Sequence, residues 1–304
     1  MGTIIQAQNT QQSSHQSNYP INTSSKKDGY QLSTSRYAEG YSLRKQSSTM
    51  TANTLKWIRK HSDKVLPQAP LERAAKILSI GCGDGELDIA LLEALSPLHK
   101  IDYLGWDQNS EELALFKIQL RHSTCQDAPN IHIRLEQVLF DEHSAPNETF
   151  DLIVISHMLY YFTDPTQILR RAVQKLSKHG QLLIVHQCEE GIPSIRKQLF
   201  QTMNLGTLPQ PSSTIKHCLA QLELPFLSHR VMAELDVSLL LPLEIKPNAL
   251  LLMAFCLSEE LLTLPLPMLN IVRETFLEEA YCNTSFCRAH ISEPIDILLV
   301  PNVR

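Results

Sequence analysis

The chain has 304 residues, 43% of them hydrophobic and 19% charged, with a formal net charge of −5. That is enough apolar material for a substantial core and about one large domain. The charge is uneven: residues 1–60 carry eight Lys/Arg against two Asp/Glu, so +6, and the remainder carries 19 against 30, so −11. An acidic body excludes a large nucleic-acid footprint.

The seven cysteines (Cys82, Cys125, Cys188, Cys218, Cys256, Cys282 and Cys287) form no CxxC and none pairs with His at zinc spacing, so no metal is expected. They read as reduced thiols in a cytoplasmic setting, and Cys282 and Cys287 as a chance pair rather than a disulfide. The first thirty residues lack the apolar core of a signal peptide. The leucine-rich region 235–272 is broken by Glu244, Lys246, Glu259, Glu260 and prolines, so it is not expected to span a membrane.

Residues 1–35 are rich in Gln, Ser, Asn and Thr and cannot repay their ordering entropy; they are expected to be a disordered tail. Residues 36–70 read as a helical cover, with apolar positions from Tyr37 to Leu66 and then Pro67 and Pro70. From there strands are expected at 76–80, 101–106, 131–135, 150–156 and 181–186, alternating with helices at 86–95, 110–122, 164–177 and 193–203. Short apolar strands each followed by a helix imply a doubly wound α/β fold with a mostly parallel sheet. Beyond 204 a helix over 214–222, a long strand over 226–239, a helical insertion over 246–283 and a closing strand over 295–300 are expected. The domain proper is 71–304. The stripe Leu250, Met253, Ala254, Leu257, Leu261 has the helical spacing of a core face.

The stretch Lys76-Ile77-Leu78-Ser79-Ile80-Gly81-Cys82-Gly83-Asp84-Gly85-Glu86-Leu87-Asp88 is a strand, a glycine turn and a helix start. Such a turn lets backbone bend sharply and approach a ligand at the carboxyl end of the first strand. The spacing is GxGxG, not the GxGxxG of dinucleotide binders. Asp107 ends the next strand, 22 positions after Gly85, where a carboxylate can accept two ribose hydroxyls. A ligand-free tight turn is the alternative for the glycines, and a turn or cap residue is the alternative for Asp107.

These residues resemble motif I of the class I S-adenosylmethionine (SAM) methyltransferases. The resemblance implies SAM as cofactor and a seven-stranded sheet whose sixth and seventh strands are reversed. Past the fourth strand stands Ser156-His157-Met158-Leu159-Tyr160-Tyr161. Together with Ile77–Asp88 it is similar to the histamine N-methyltransferase branch, across about 36–301. The resemblance puts Gly81, Gly83, Gly85 and Asp107 on the cofactor, with Phe140 and Ser156 near its adenine and methionine ends. It puts Tyr37, Tyr41, His157, Tyr160, Tyr161 and Glu293 on the substrate, His157 positioning the acceptor. Three positions depart from the branch. Met50 or a neighbour stands where it has an amine-gripping glutamate, His157 where it has Gln, and Glu293 where it has Asn.

The expected activity is methyl transfer to a small molecule, an amine or imidazole nitrogen, by a monomer. An aromatic wall suits such acceptors through stacking and cation–π contacts. Glu189 and Glu190 could also line the pocket or lie in a solvated loop. An NAD-dependent oxidoreductase, an inactive SAM-fold binding module and a protein methyltransferase stay open as alternatives.

Overall fold

The computed structural model describes residues 3–5, 32–66, 72–138, 140, 148–283 and 288–303. In chain order the elements are β1 (Thr3–Ile5), α1 (Thr34–Ser47), α2 (Met50–Lys60), α3 (Ser62–Val65), β2 (Ala75–Ile80), α4 (Glu86–Leu95), β3 (Ile101–Asp107), α5 (Ser110–Arg121), β4 (Ile131–Gln137), β5 (Phe150–Ser156), α6 (Pro165–Gln174), β6 (Leu176–Gln187), α7 (Ile192–Met203), α8 (Ser212–Gln221), β7 (Phe226–Val231), β8 (Glu234–Asp236), α9 (Pro247–Leu257), α10 (Leu266–Glu279), β9 (Tyr281–Asn283), β10 (Arg288–Ser292) and β11 (Ile295–Pro301).

The main sheet runs β1-β7-β11-β6-β5-β2-β3-β4. β2 pairs in parallel with β3 and β5, β3 with β4, and β5 with β6. β11 lies antiparallel between β6 and β7. Among the seven strands of this fold only β11 is therefore reversed; β7, expected to be reversed too, runs with the parallel set. The chain moves outward from β2 to β3 and β4, then returns to β5 on the other side of β2. The crevice at the carboxyl ends of β2 and β5 is thus the switch point, where such sheets bind ligands.

Period-two alternation sends neighbouring strand residues to opposite faces. Ile77, Tyr103, Leu152 and Val154 pack on α2–α5, whereas Leu78, Ile80, Leu104, Ile153 and Ile155 pack on α6 and α8. Helix starts are set locally: Asn109 and Asp164 accept from Glu111 N–H and Gln167 N–H at 2.9 and 3.1 Å. At the opposite end of the sheet Asp151 binds Arg73 through both oxygens (2.7 and 2.8 Å), the Lys76 N–H (2.9 Å) and Ser177 (2.8 Å), locking β2, β5 and β6 together.

The expected strand 226–239 is two strands in different sheets. β7 stays in the main sheet, while β8 joins β10 and β9 in a separate antiparallel sheet of order β8-β10-β9. The chain leaves the main sheet at buried Ala233, whose carbonyl accepts from Glu293 N–H at 2.8 Å. The insertion is thus helices α9 and α10 plus a small sheet, with its own core of Leu235, Leu252, Met253, Leu257, Val272, Phe276 and Ile291. The Leu250-to-Leu261 stripe lies in or against that core.

Thr3–Ile5, inside the segment expected to lack structure, pairs antiparallel with β7 through Phe226–Ser228. The rest of that segment up to residue 31 lies outside the described residues, as do Pro67, Pro70 and Cys287. The helical cover begins at Thr34, and α1 packs against α9. It is tied to the insertion by Arg36–Glu260 (2.8 Å) and by Tyr37 and Tyr41 rings 5.2 and 6.1 Å from Phe255. It is tied to the glycine turn by Lys45–Asp84 (2.9 Å).

Candidate active site

The three glycines all have positive φ: 70°, 55° and 77° at Gly81, Gly83 and Gly85. They differ in what a side chain would meet. A Cβ on Gly85 would lie 2.3 Å from the Phe116 ring, so this residue is glycine because α4 starts against α5. A Cβ on Gly81 would press on Met158 Sδ at 2.9 Å. A Cβ on Gly83 meets nothing within 4 Å. Gly83 therefore presents bare backbone to the crevice, while Gly85, expected to touch the cofactor, answers to packing inside the protein.

Asp107, at the end of β3, faces this cradle. Its Oδ2 accepts from Gly83 N–H at 2.9 Å and its Oδ1 from Asn109 N–H at 2.8 Å. Each carboxylate oxygen keeps a second lone pair, so two hydroxyls can still dock. Asp84, Glu86 and Glu112 stand nearby; burial and the neighbouring Asp84 and Asp107 raise the Glu112 pKa. Lys45, on Asp84 and Glu86, is the cation of the group. This end of the crevice is acidic. Beneath it, burial lifts the Asp88 carboxyl to about 6, beside Ser79 and Tyr103. Phe140 is buried, its ring 6.2 Å from Trp106, and Ser156 closes β5 half-buried opposite Val185.

Across the switch point, His157 has φ 49°, a left-handed conformation that a non-glycine residue holds only when the surroundings impose it. Its N–H donates to Val185 O at 2.9 Å. Burial, then His186 and Arg44, push its pKa down to about 3, so the imidazole is neutral. The next turn holds Tyr160 and Tyr161 with rings 4.6 Å apart, and Tyr37 from α1 reaches Tyr161 hydroxyl to hydroxyl at 3.1 Å. Tyr160 also lies 5.6 Å from the ring of His186, whose Nε2 donates to Gln210 O at 2.7 Å. Burial raises the pKa of all three tyrosines and of Tyr41, the last to about 12. They stay protonated. Burial lowers the pKa of His186 as well, so its imidazole is neutral.

Glu293, expected to contact substrate, has a side chain only 1% exposed, with each oxygen accepting one hydrogen bond. Arg44 donates to Oε1 at 2.8 Å and Ser48 to Oε2 at 3.1 Å. The pair with Arg44 ties α1 to the segment before β11. Met50 is core. Glu189 accepts from Ser213 N–H at 3.1 Å and Glu190 pairs with Arg230 at 2.7 Å, both in exposed surroundings.

The sequence reading missed two arginines, Arg44 and Arg196. Arg44 follows Tyr37 and Tyr41 at i, i+4, i+7 on one helix face. Arg196 interrupts the apolar stripe Ile192, Ile195, Leu199 of α7, a charge where the helical period calls for core. Either departure from pattern was a usable signal.

Residues 53–223, more than half of the chain, match the family described as "Methyltransferase domain". The chain belongs to that family. It has the fold of the class I methyltransferases. The YcgJ protein of Bacillus subtilis superposes over 83% of this chain and 98% of its own, at TM-score 0.53 and 12% identity. A methyltransferase-type protein of Bacillus halodurans C-125 does so over 80% and 99%, at 0.51 and 12%. A histamine N-methyltransferase of Danio rerio is 27% identical over 118 residues, 36% of this chain. That match spans 40% of the relative's length. Among the described residues no helix is long and apolar enough to cross a membrane.

Proposed function

We propose that this methyltransferase takes its methyl group from SAM and delivers it to a neutral nitrogen of a small aromatic or heteroaromatic acceptor. The observation that carries the reading is the pairing of Gly83 with Asp107 at one side of the switch point. The open backbone at Gly83 leaves room for a methionine chain, the Asp107 oxygens suit ribose hydroxyls, and the surrounding acids suit a sulfonium cation. Gly81, Phe140 and Ser156 complete the cofactor side. When bound, SAM supplies an activated methyl group.

The protein then has to place a lone pair about 3 Å from that methyl and keep it unprotonated. Neutral His157, at the end of β5, can accept a hydrogen bond from the acceptor and orient it. Tyr37, Tyr41, Tyr160 and Tyr161 offer π faces and hydroxyls for a flat ring. The protonated tyrosines and a His157 imidazole of lowered pKa are poor at stripping a proton, so an acceptor that is uncharged by its own pKa is favoured over an alkylammonium or a phenol. The partial similarity to a histamine N-methyltransferase supports a nitrogen acceptor. The chain is read as acting alone in the cytoplasm, on neither nucleic acid nor membrane. A radiolabelled-methyl screen over imidazoles, aromatic amines, alkylamines, phenols and thiols tests it. Turnover on imidazoles or aromatic amines is expected; turnover confined to phenols or thiols overturns the nitrogen assignment.

A further inference from the structure

Charge at the acceptor end does not balance. Arg44 is matched by Glu293, both side chains largely buried. Arg196 is not matched. Among the described residues its only hydrogen bond goes to the neutral hydroxyl Thr207 Oγ1, and no carboxylate lies within salt-bridge distance. Its Nε is buried and has no hydrogen-bond partner among the described residues. Its electrostatic neighbours are Tyr160, Tyr161 and Cys256, three groups whose raised pKa values leave them protonated and uncharged. A half-buried guanidinium without a counter-charge is costly, because desolvation opposes the charged form. The same guanidinium presents fixed donors that fit a carboxylate.

We propose that the acceptor carries an anionic group, a carboxylate or its equivalent, that docks on Arg196 while its ring lies against Tyr160 and Tyr161. Arg44 cannot serve in its place, because Glu293 already holds it. The proposal rests on the methyltransferase reading for the location of the acceptor, and it narrows the acceptor class. An aromatic nitrogen compound with an acidic side chain fits; the cationic side chain of an amine such as histamine faces a like charge.

Calorimetry on the full chain saturated with S-adenosylhomocysteine tests this, using ligands that share a ring and differ in charge. One set is imidazole-4-acetate, 4-methylimidazole and histamine; the other is 3-aminobenzoate, 3-methylaniline and 3-aminobenzylamine. In at least one set the anion should bind best, and Arg196→Gln should lower its affinity about 10- to 100-fold, as expected for a lost charge-assisted hydrogen bond. Arg196→Lys should recover part of that loss. S-adenosylhomocysteine affinity should stay at the wild-type value in both variants. Equal affinity across charge, preference for the cation, no binding by any member, or a parallel fall in S-adenosylhomocysteine affinity each overturns the proposal. Absence of methyl transfer to every bound member counts instead against the parent reading, since binding is scored without turnover.

Discussion

The two ends of the crevice carry opposite charge. At the glycine turn stand Asp84, Glu86, Asp107 and Glu112, with Lys45 paired to Asp84 and Glu86; across the switch point Arg44 is paired with Glu293, and Arg196 has no carboxylate within salt-bridge distance among the described residues. A sulfonium is drawn to the first and an anion to the second, so each ligand is steered to its own end. The two ends are also built differently. The core of the acidic end is two consecutive strands and their turns, with Gly83 and Asp107 24 positions apart. The cationic end gathers α1, the turn after β5, α7 and α9, with Arg44 and Glu293 separated by 249 positions.

The largest expected effects come from treating two glycines of the same turn as different things. Gly85→Val should prevent stable folding, a loss of more than ~3 kcal/mol from overpacking on Phe116 and a disfavoured backbone. Gly83→Val should keep the fold at a strain cost of ~1–2 kcal/mol, yet weaken SAM binding by about 100-fold or more, because the side chain occupies the ligand's space. Thermal melts and calorimetry on the two variants check this; similar behaviour in both would erase the distinction.

At the other end, Glu293→Gln should cost about 3–5 kcal/mol in stability, since it strands the buried Arg44. Pairing it with Arg44→Met should recover most of that loss. A strictly additive double-mutant cycle would show that the pair does not hold α1 down.

The pH dependence of stability should be opposite in sign at the two ends. The Asp88 pKa is raised on folding to about 6, so its contribution is present below the ordinary carboxylate pKa and is lost as pH rises through about 6. The His157 pKa is lowered to about 3, so its contribution is present above the ordinary histidine pKa of 6.5 and is lost as pH falls toward 3. Asp88→Asn should therefore stabilise the protein above pH 6, and His157→Gln should flatten the acid limb below pH 6.5. Denaturant melts from pH 4 to 8 read both; slopes of the same sign would contradict the assignment. His157→Ala should also cut turnover far more than SAM affinity.

Asp107→Ala should weaken SAM binding by about 1–3 kcal/mol, the usual loss for charge-assisted hydrogen bonds. Smallest of all, removing residues 1–31 should leave SAM affinity unchanged and lower the melting temperature by only a few degrees, through loss of the short edge pairing of Thr3–Ile5 on β7.

This asymmetry explains what could be read without the structure. Ile77–Ile80 and Ile153–Ile155 are buried on both faces, so their apolar runs announce parallel strands. Asp107 is tied to the glycine turn by a hydrogen bond between consecutive strands, and spacing alone finds such pairs. The break between β7 and β8 falls at Val231-Met232-Ala233-Glu234, which holds neither glycine nor proline to mark it. β10, Arg288-Ala-His-Ile-Ser292, is too short and polar to stand out as a strand. Glu293 looks like a pocket acid in sequence because nothing local reveals that Arg44 and Ser48, some 245 positions earlier, each donate to one of its oxygens.

The central claim is that Gly83 and Asp107 form a SAM cradle at the switch point. Calorimetry of the purified chain against SAM and against NAD tests it most directly. The account predicts one-site SAM binding in the micromolar range, lost in Gly83→Val, and no heat from NAD. Binding of NAD with none of SAM, or SAM affinity unchanged in Gly83→Val, would contradict it.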